Sequence, residues 1–558
     1  MDELRLSYNL FDLPTAQHRA GLAGLLIHLR TLQQRGYTDV PEVATDGSGG
    51  AALTLTKTAL RLVLNDLYHS SLQEISRPTR LKGSAGKPAP EPLRTESVAK
   101  VDRRTGKESL KTVYVYPQVV PGAPFLEGMD MPEPWLKLWR EVVWSILRGI
   151  PKTRVPYEQR AEGADVTEAT ALWNDLERWG KAVKNGRLFT TEVSGAMFLG
   201  AQALNAERVP FRGSPEQNLL LHFWPVVMGV GEARKIALDH GKVEEKPVGY
   251  VVTVPDVSDL EGFAADFTES VAQLDKTMVG YRPAAAVLSL PEEGALRYLA
   301  DLASMARGRS MAGPTRFSVT NVEVYQLMKR GNSILTLSAQ RIPAKPQLLD
   351  LYKQIGRRYY DLEFRGHLIR NVLRDQPWYD GFHRLFATGG WARYVGPMAG
   401  RFAGDAGRKF STEFEAAREQ EVEMEGDAKT IPQELTRRVH SMVRQYVEGR
   451  TESKSGIKWA DFKDKRMVDP NTGKDRLAVP DKYREAREKV CQDAFLAVRA
   501  CRSRQDFVTY FTGNICAVPQ YIPTDDYQAL AGALLGNEDE WERIKALSML
   551  ALSALSRL

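Results

Sequence analysis

Histidine and cysteine are the residue types best able to perform nucleophilic, acid–base or metal chemistry, and this chain has few of them. It contains eight histidines and three cysteines among 558 residues. No CxxC, HExxH or HxH pattern occurs, and the segment GSAGKP lacks the spacing of a phosphate-binding P-loop. We therefore predict no catalytic residues, no metal and no cofactor. A stand-alone DNA-processing nuclease or hydrolase with a dispersed active site stays open as an alternative.

Lysine and arginine offer a different chemistry, the neutralisation of phosphate groups, and they are concentrated in three segments. The first segment, residues 77–111, holds ten Lys/Arg against four acids, with several glycines and prolines. This composition predicts a long, basic, mobile loop, which is either a nucleic-acid contact or a solvated surface excursion. Its candidate contacts are Arg80, Lys82, Lys87, Arg103, Arg104 and Lys107.

The second segment contains Arg307, Arg309 and Arg316 among glycines, and it predicts a basic loop that approaches a phosphate or a groove closely. An ordinary helix-to-strand connection has the same composition. The third segment, residues 437–510, holds eighteen Lys/Arg against eleven acids in a helical region. It predicts an outward basic stripe, although a plain solvated helix face looks the same. Its candidate contacts are Arg437, Arg438, Arg444, Lys458, Lys463, Lys465, Arg484, Arg487, Arg502 and Arg504.

The net charge, length and apolar content of the chain limit what the basic segments can imply. A net charge of +6 is too small over this length to prove a polyanion partner, so the distribution of charge must carry that argument. The length predicts two to four domains. The acidic N-terminus does not resemble a secretory signal, and the apolar run around 219–230 is too short to span a membrane. We expect a cytoplasmic protein with no membrane contact.

The elements that must position the basic segments begin with a helix. Leucines at 22, 25, 26 and 29 recur at helical spacing after Thr15, an expected N-cap. His18 lies on the same face and is predicted to be a core histidine. Gly21 and Gly24 would let another backbone approach closely.

Further along the chain, strand and helix signals alternate and then separate. Strands are predicted at 53–64, 113–116, 248–254, 285–290, 317–327 and 333–341, the last two as a hairpin across residues 329–332, and helices at 135–146 and 292–305. Beyond residue 346 helical patterns take over. We predict an α+β fold, in which a mixed N-terminal domain with an antiparallel sheet is followed by an α-helical C-terminal bundle.

Two stretches resemble a known family. They are YNLFDLPTAQHRAGLAGLLIHL, which begins at Tyr8, and FLGAQALNAERVPFRGSPEQNLLLHFWPVV, which begins at Phe198. They resemble the large subunit of the type I CRISPR Cascade complex in its subtype I-B (Myxan-type) form. The resemblance implies a non-catalytic subunit of a guide-RNA surveillance complex in antiviral defence. Such a subunit recognises the protospacer-adjacent motif in double-stranded DNA, aids strand separation and recruits a helicase-nuclease.

The resemblance also implies partners and domains. The partners are CRISPR guide RNA, target double-stranded DNA, the other Cascade subunits, including backbone and small subunits, and the recruited helicase-nuclease. Residues 1–345 would form a mixed domain that reads the motif and contacts the guide end. Residues 346–423 would form a helical connection to residues 424–558, which would form a bundle resembling a Cascade small subunit. Met424 is a hypothetical internal start for a separate product of that bundle.

Arginine and Asn/Gln side chains make paired hydrogen bonds with base edges, so they are the preferred motif readers. The candidates are Asn205, Arg208, Arg212, Gln217 and Asn218, with Arg307, Arg309 and Arg316 as competing readers. A structural turn is the alternative interpretation of the segment around 205–213. A protein-only scaffold, whose basic faces meet acidic partners, is the remaining alternative function.

Overall fold

A computed structural model places the chain in two compact units. It describes residues 3–47, 49–81, 88–101, 108–199, 211–239, 242–309, 317–331, 333–423, 431–468, 475–518, 523–536 and 540–557. The first unit comprises residues 1–235 and 245–346, and the second comprises residues 347–558 together with 236–244. Antiparallel sheets and helices share the first unit, and the second is mostly helical. The predicted α+β fold with a helical C-terminal part is confirmed.

Strands and helices alternate up to residue 346. The strands are β1 (Glu3–Asn9), β2 (Val43–Thr45), β3 (Gly50–Thr56), β4 (Ser70–Arg77), β5 (Arg94–Val101), β6 (Glu108–Pro121), β7 (Thr191–Val193), β8 (Phe211–Gly213), β9 (Gly229–Asp239), β10 (Lys242–Val257), β11 (Met278–Val279), β12 (Arg282–Pro283), β13 (Val287–Leu288), β14 (Val319–Arg330) and β15 (Ser333–Pro343). The helices are α1 (Ala16–Gln34), α2 (Lys57–Leu67), α3 (Pro124–Glu127), α4 (Glu133–Val142), α5 (Val155–Ala161), α6 (Thr167–Lys184), α7 (Pro215–Leu220), α8 (Leu260–Ala272) and α9 (Glu292–Arg309).

Helix α1 lies at the centre of the first unit. Thr15 caps it, as predicted, by accepting a hydrogen bond from the backbone N–H of His18. Fifteen of its nineteen residues are buried, so the helix is packed on nearly every side. His18 is 4% exposed, and its Nδ1 lies 2.7 Å from the Thr15 hydroxyl oxygen. The prediction that His18 is a core histidine is confirmed.

The two glycines of α1 allow α7 and the turn after it to pack closely. A Cβ at Gly21 would lie 2.8 Å from the carbonyl carbon of Leu220, and one at Gly24 would lie 3.0 Å from that of Phe223. Real Cβ atoms need about 3.4 Å, so only glycine fits at both positions. The predicted close approach is confirmed. It packs the two stretches that carry the family resemblance directly against each other.

A five-stranded sheet with the order β13-β9-β10-β14-β15 forms the second layer of this unit. Strands β14 and β15 pair antiparallel from Asn321↔Pro343 to Arg330↔Ser333, which confirms the predicted hairpin. Gly331 turns the chain with a φ of 62°. The predicted strand at 285–290 is reduced to β13, which pairs parallel with β9.

Two predictions between residues 53 and 111 are wrong. Strand β3 ends at Thr56, whose side chain caps α2, so the leucines from 60 to 64 are helical. Their spacing beside Val63 and Leu67 suits a period of 3.6 better than a period of 2. The segment 77–111 is not one long loop, because β5 and β6 pair within it and form a sheet with the order β4-β6-β5.

The second unit is built around one buried helix. Its elements are α10 (Pro346–Arg358), α11 (Leu362–Leu373), α12 (Phe382–Thr388), α13 (Gly400–Glu423), α14 (Ile431–Ser455), β16 (Arg466–Val468), β17 (Asp475–Leu477), α15 (Asp481–Ala500), α16 (Arg504–Tyr510), α17 (Thr524–Leu535) and α18 (Glu540–Leu555). Eleven of the sixteen residues of α18 are buried, as expected of a helix that is apolar on every face. Within the described ranges, no helix is long and apolar enough to cross a membrane.

Aromatic side chains join the early and late helices of the second unit. The ring of Phe386 on α12 lies 5.7 Å from that of Phe402 on α13 and 5.3 Å from that of Phe495 on α15. Tyr394 lies 4.9 Å from Phe402. These contacts put residues on both sides of position 424 into one core.

Candidate nucleic-acid interface

The paired strands β5 and β6 form an exposed arm, which we name the β5–β6 arm. Residues 97–99 are all exposed, and so are residues 110–112, so both faces of the ribbon meet solvent there. At its base Arg94 forms ion pairs of 2.6 Å with Glu74 and Glu96. The guanidinium of Arg80 lies 5.2 Å from the ring centroid of Tyr114. The other predicted contacts of this segment lie outside the described residues; they are Lys82, Lys87, Arg103, Arg104 and Lys107.

The predicted motif readers are only partly described. Asn205, Arg208 and Arg316 lie outside the described residues. Helix α9 extends to Arg309, which places the backbones of Arg307 and Arg309 on its last turn and not in a loop. The loop prediction is therefore wrong for these two residues.

Strand β8 carries Arg212, which is exposed and faces Glu192 across the β7–β8 pair. Gln217 on α7 is half-buried. Asn218 is 7% exposed and uses its amide group to donate hydrogen bonds to the Thr191 hydroxyl, at 2.9 Å, and to a backbone carbonyl, at 3.2 Å. Both amide hydrogens are thereby used to join α7 to the β7–β8 pair. The base-reading role of Asn218 stays a prediction, and it would require the amide to exchange these two hydrogen bonds for bonds to a base.

The predicted C-terminal stripe divides into exposed and internal side chains. Seven candidates are exposed, namely Arg437, Arg444, Lys458, Lys463, Lys465, Arg484 and Arg502. Arg444 pairs with Glu448 at 2.8 Å, and Arg484 pairs with Asp481 at 3.0 Å, so part of this charge is balanced on the surface.

The other three candidates make contacts inside the second unit. Arg438 forms ion pairs with Asp526, at 2.8 Å, and Glu434, at 3.1 Å. Arg504 donates to two backbone carbonyls at the end of α17. Arg487 is 4% exposed and donates to the carbonyl of the last residue of α18. A buried guanidinium cannot meet a surface phosphate, so Arg487 does not belong to an outward stripe.

A basic cleft that sequence spacing did not predict lies in the second unit. It has a volume of about 650 Å³ and is lined by Tyr360, Arg401, Arg408, Arg557 and the glycines at 400 and 404. We name it the arginine cleft. Tyr360 is 63% exposed, and the Arg408 guanidinium lies 5.0 Å from its ring centroid. Such a cation–aromatic pair is typical of surfaces that stack unpaired bases.

The arginine cleft is positioned by a buried carboxylate. Asp405 is fully buried and accepts hydrogen bonds from the backbone N–H groups of Tyr360, at 2.7 Å, and Asp361, at 2.6 Å. It also pairs with the Arg408 guanidinium. Arg557 donates to the carbonyl of Gly400 at 2.8 Å, which holds the chain end against the start of α13. Residues 150 to 200 positions apart thus meet, and no local pattern could have identified them.

Four histidines of the described residues have lowered pKa values because the fold largely encloses them. Burial lowers the pKa of His18, His28, His367 and His440 to about 4, so these rings are neutral near pH 7. In the described parts of the chain, no group of three or more His, Cys, Asp or Glu side chains is arranged to hold a metal ion.

Two family descriptions match the chain over nearly its whole length. Residues 40–311 match the type I-B CRISPR Cas8b N-terminal domain, and residues 319–555 match the type I-B CRISPR Cas8b C-terminal domain. The chain belongs to the Cas8b large-subunit family. The resemblance seen in the two sequence stretches is confirmed, and a Cas8b subunit is a member of a CRISPR Cascade complex. A search of curated proteins finds no match.

The boundary between the two Cas8b regions does not follow the compact units. The C-terminal match begins at residue 319, yet β14 and β15 complete the five-stranded sheet of the first unit. Cutting the chain at the family boundary would remove two of five strands and expose the edge of β10. A Cas8b N-terminal region with an intact sheet therefore has to extend to about the end of β15.

Proposed function

We propose that this Cas8b subunit recognises the protospacer-adjacent motif in double-stranded DNA, helps to separate the strands, and recruits a helicase-nuclease without performing catalysis itself. The arginine cleft is the single observation that carries the proposal, because its chemistry suits a released strand better than an intact duplex. The first unit would contact the duplex, and the second would hold the strand that leaves it.

Within the described residues, two of the three cations of the arginine cleft have no carboxylate partner. Arg408 pairs with Asp405, but Arg401 and Arg557 form no ion pair with any residue in the described ranges. Two guanidinium groups are therefore available to phosphates, and guanidinium is the side chain best suited to them.

The exposed ring of Tyr360 provides the preference for a single strand. One face of this ring is next to Arg408, and 63% of the side chain meets solvent. A base that has lost its partner can stack on such a ring, at about 1–3 kcal/mol per base, whereas a base inside a duplex cannot. Strand opening is nearly balanced in energy, so a contact of this size shifts it toward the open state.

The first unit supplies candidate duplex contacts. Arg212 is exposed on β8, and the β5–β6 arm is a narrow two-stranded ribbon with solvent on both faces. A ribbon of this kind fits between strands or into a groove, and Arg212 or the other predicted readers would make separate contacts with base edges. Motif reading by these residues is part of the proposal.

The test is strand opening by the reconstituted guide-RNA complex, with the Arg401→Ala/Arg557→Ala double variant in the large subunit. We expect weaker permanganate reactivity of the displaced strand on a target duplex. We also expect the salt dependence of binding to fall by about 0.7 per lost single-strand phosphate contact, or roughly 1.4 in all.

The matched control is Arg384→Ala, which removes an exposed arginine that already pairs with Glu542 at 3.3 Å. It should leave both measurements unchanged. An unchanged salt slope and full permanganate reactivity in the double variant would remove the arginine cleft from the proposal. A duplex with a scrambled motif, compared with Arg212→Ala on the correct motif, tests motif reading separately.

A further inference from the structure

A second cavity, far from the arginine cleft in sequence, lies in the first unit between α5, α6 and β7. Its volume is about 420 Å³, which is within the range of small-ligand sites. Its polar lining combines the cations Arg148 and Lys152 with the carboxylates Glu168, Asp175 and Glu192. Apolar atoms from residues such as 155, 156 and 172 supply the remaining walls.

Arg148 is the unusual residue of this cavity. It is only 7% exposed, and no carboxylate among the described residues lies within 4 Å of its guanidinium. Its neutral contacts are the Tyr68 hydroxyl, which accepts a hydrogen bond from the guanidinium, the Leu147 carbonyl at 3.2 Å and the Met197 sulfur at 3.8 Å. A buried cation is normally paired with a carboxylate, because desolvation is costly. Because Arg148 has no such partner among the described residues, its remaining donors can serve a ligand in the cavity.

The surroundings of Arg148 keep its charge. Burial disfavours the cation, but the hydroxyls of Tyr68 and Tyr157 and the carboxylate of Glu168 offset this, and the pKa of Arg148 is raised above its ordinary value. Tyr68 is itself fixed by a 2.6 Å hydrogen bond to His222 Nδ1. The floor of the cavity is therefore a permanent donor of hydrogen bonds.

Three carboxylates add acceptors to the lining of the cavity. Glu168 and Asp175 come from α6, about two helical turns apart, and Glu192 comes from β7. Three carboxylates would repel a simple phosphate ion, so a bare anion does not match the cavity. A matching ligand presents acceptors to Arg148, donors to the carboxylates, and a flat apolar face to the walls.

We propose that this cavity binds the guanine base of a nucleotide. Guanine places two acceptors, O6 and N7, where the guanidinium of Arg148 can donate to both. Its N1–H and amino group lie on another edge, where Glu168 accepts. Adenine has an amino group in place of O6, which would meet the donors of Arg148. The site does not depend on the arginine cleft, so the failure of one proposal leaves the other intact.

Calorimetric titration of the full chain with GMP and AMP tests the proposal, because the two nucleotides share a phosphate and differ only in the base. We expect saturable GMP binding that is stronger than AMP binding by about fivefold or more, and no competition from inorganic phosphate. Equal affinities for GMP and AMP, displacement of GMP by phosphate, or the absence of GMP binding would each overturn the guanine assignment.

Two variants locate the site on the same readout. Glu168→Gln keeps the shape of an exposed side chain and removes only its charge, and we expect it to weaken GMP binding by about fivefold or more. Glu162→Gln, an exposed carboxylate outside the cavity, should leave binding unchanged. If Glu168→Gln binds GMP as the wild type does, the assignment of this cavity is wrong.

The guanine could belong to a free nucleotide or to a nucleic-acid strand. A guanine-containing oligonucleotide that displaces GMP, when an adenine-substituted one does not, would identify the strand as the source. Displacement by free guanine nucleotides alone would identify a small-molecule effector. Both results support the same base-recognition chemistry.

Discussion

The packing of α1 on residues 220–226 can be tested by replacing Gly24 with alanine. The added Cβ would lie 3.0 Å from the carbonyl carbon of Phe223, nearer still to its oxygen, and 3.3 Å from the Cβ of Val226. Because the nearest atoms belong to a buried backbone, relief requires a shift of that segment, and overpacking of this kind costs about 1–3 kcal/mol. The higher helix propensity of alanine offsets about 1 kcal/mol of this cost. We expect the free energy of unfolding to fall by about 2 kcal/mol at most.

The matched control is Gly356→Ala, in the last turn of α10, where nothing lies within 4 Å of an added Cβ. Only the propensity gain applies there, so the free energy of unfolding should rise by about 0.5–1 kcal/mol. Urea denaturation followed by far-UV circular dichroism measures both variants. Gly24→Ala is measured in the unfolding transition of the first unit, and Gly356→Ala in that of the second. If Gly24→Ala is more stable than the wild type, as Gly356→Ala should be, the close-approach argument is wrong.

Two further predictions concern pH and a fragment. The hydrogen bonds from Arg282 hold the pKa of Glu141 below its ordinary value, so this stabilisation is complete above the unfolded-state pKa and is lost as the pH falls through the lower folded-state value. The urea midpoint of Glu141→Gln should therefore depend less on pH between about 5 and 3 than that of the wild type. A fragment of residues 424–558, the predicted internal-start product, would lose the contact of Phe495 with Phe386; we expect it to bind a hydrophobic dye and aggregate unless a partner covers that surface.

Local signals predicted the elements that local physics controls. Thr15 placed the start of α1, because a threonine side chain can bond an otherwise unpaired N–H of the first turn. The sequence around Gly331 predicted the β14–β15 hairpin, because a positive φ is easy for glycine. A strand was wrongly predicted at 57–64 because leucines that alternate over a short window fit both the strand period of 2 and the helical period of 3.6.

Predictions from composition were wrong where pairing with distant residues decides the local structure. Residues 94–101 contain charges and few bulky side chains, yet they pair with β6 and become a strand. The role of Asn218 could not be judged from its type, because its partner Thr191 lies 27 positions away and only the fold brings them together. The arginine cleft joins Tyr360 to Arg557 for the same reason, and a search for clustered cations along the chain passes over it.

The number of arginines in a segment does not determine how strongly that segment binds nucleic acid. A guanidinium contributes to phosphate affinity only if no protein carboxylate already balances it and solvent can reach it. Arg438 fails the first condition, and Arg487 fails the second. Arg401 and Arg557 satisfy both within the described residues, although their neighbourhood in sequence is unremarkable. The affinity of this chain for a strand should therefore follow the unbalanced charge of the arginine cleft more closely than the larger charge of the stripe at 437–504.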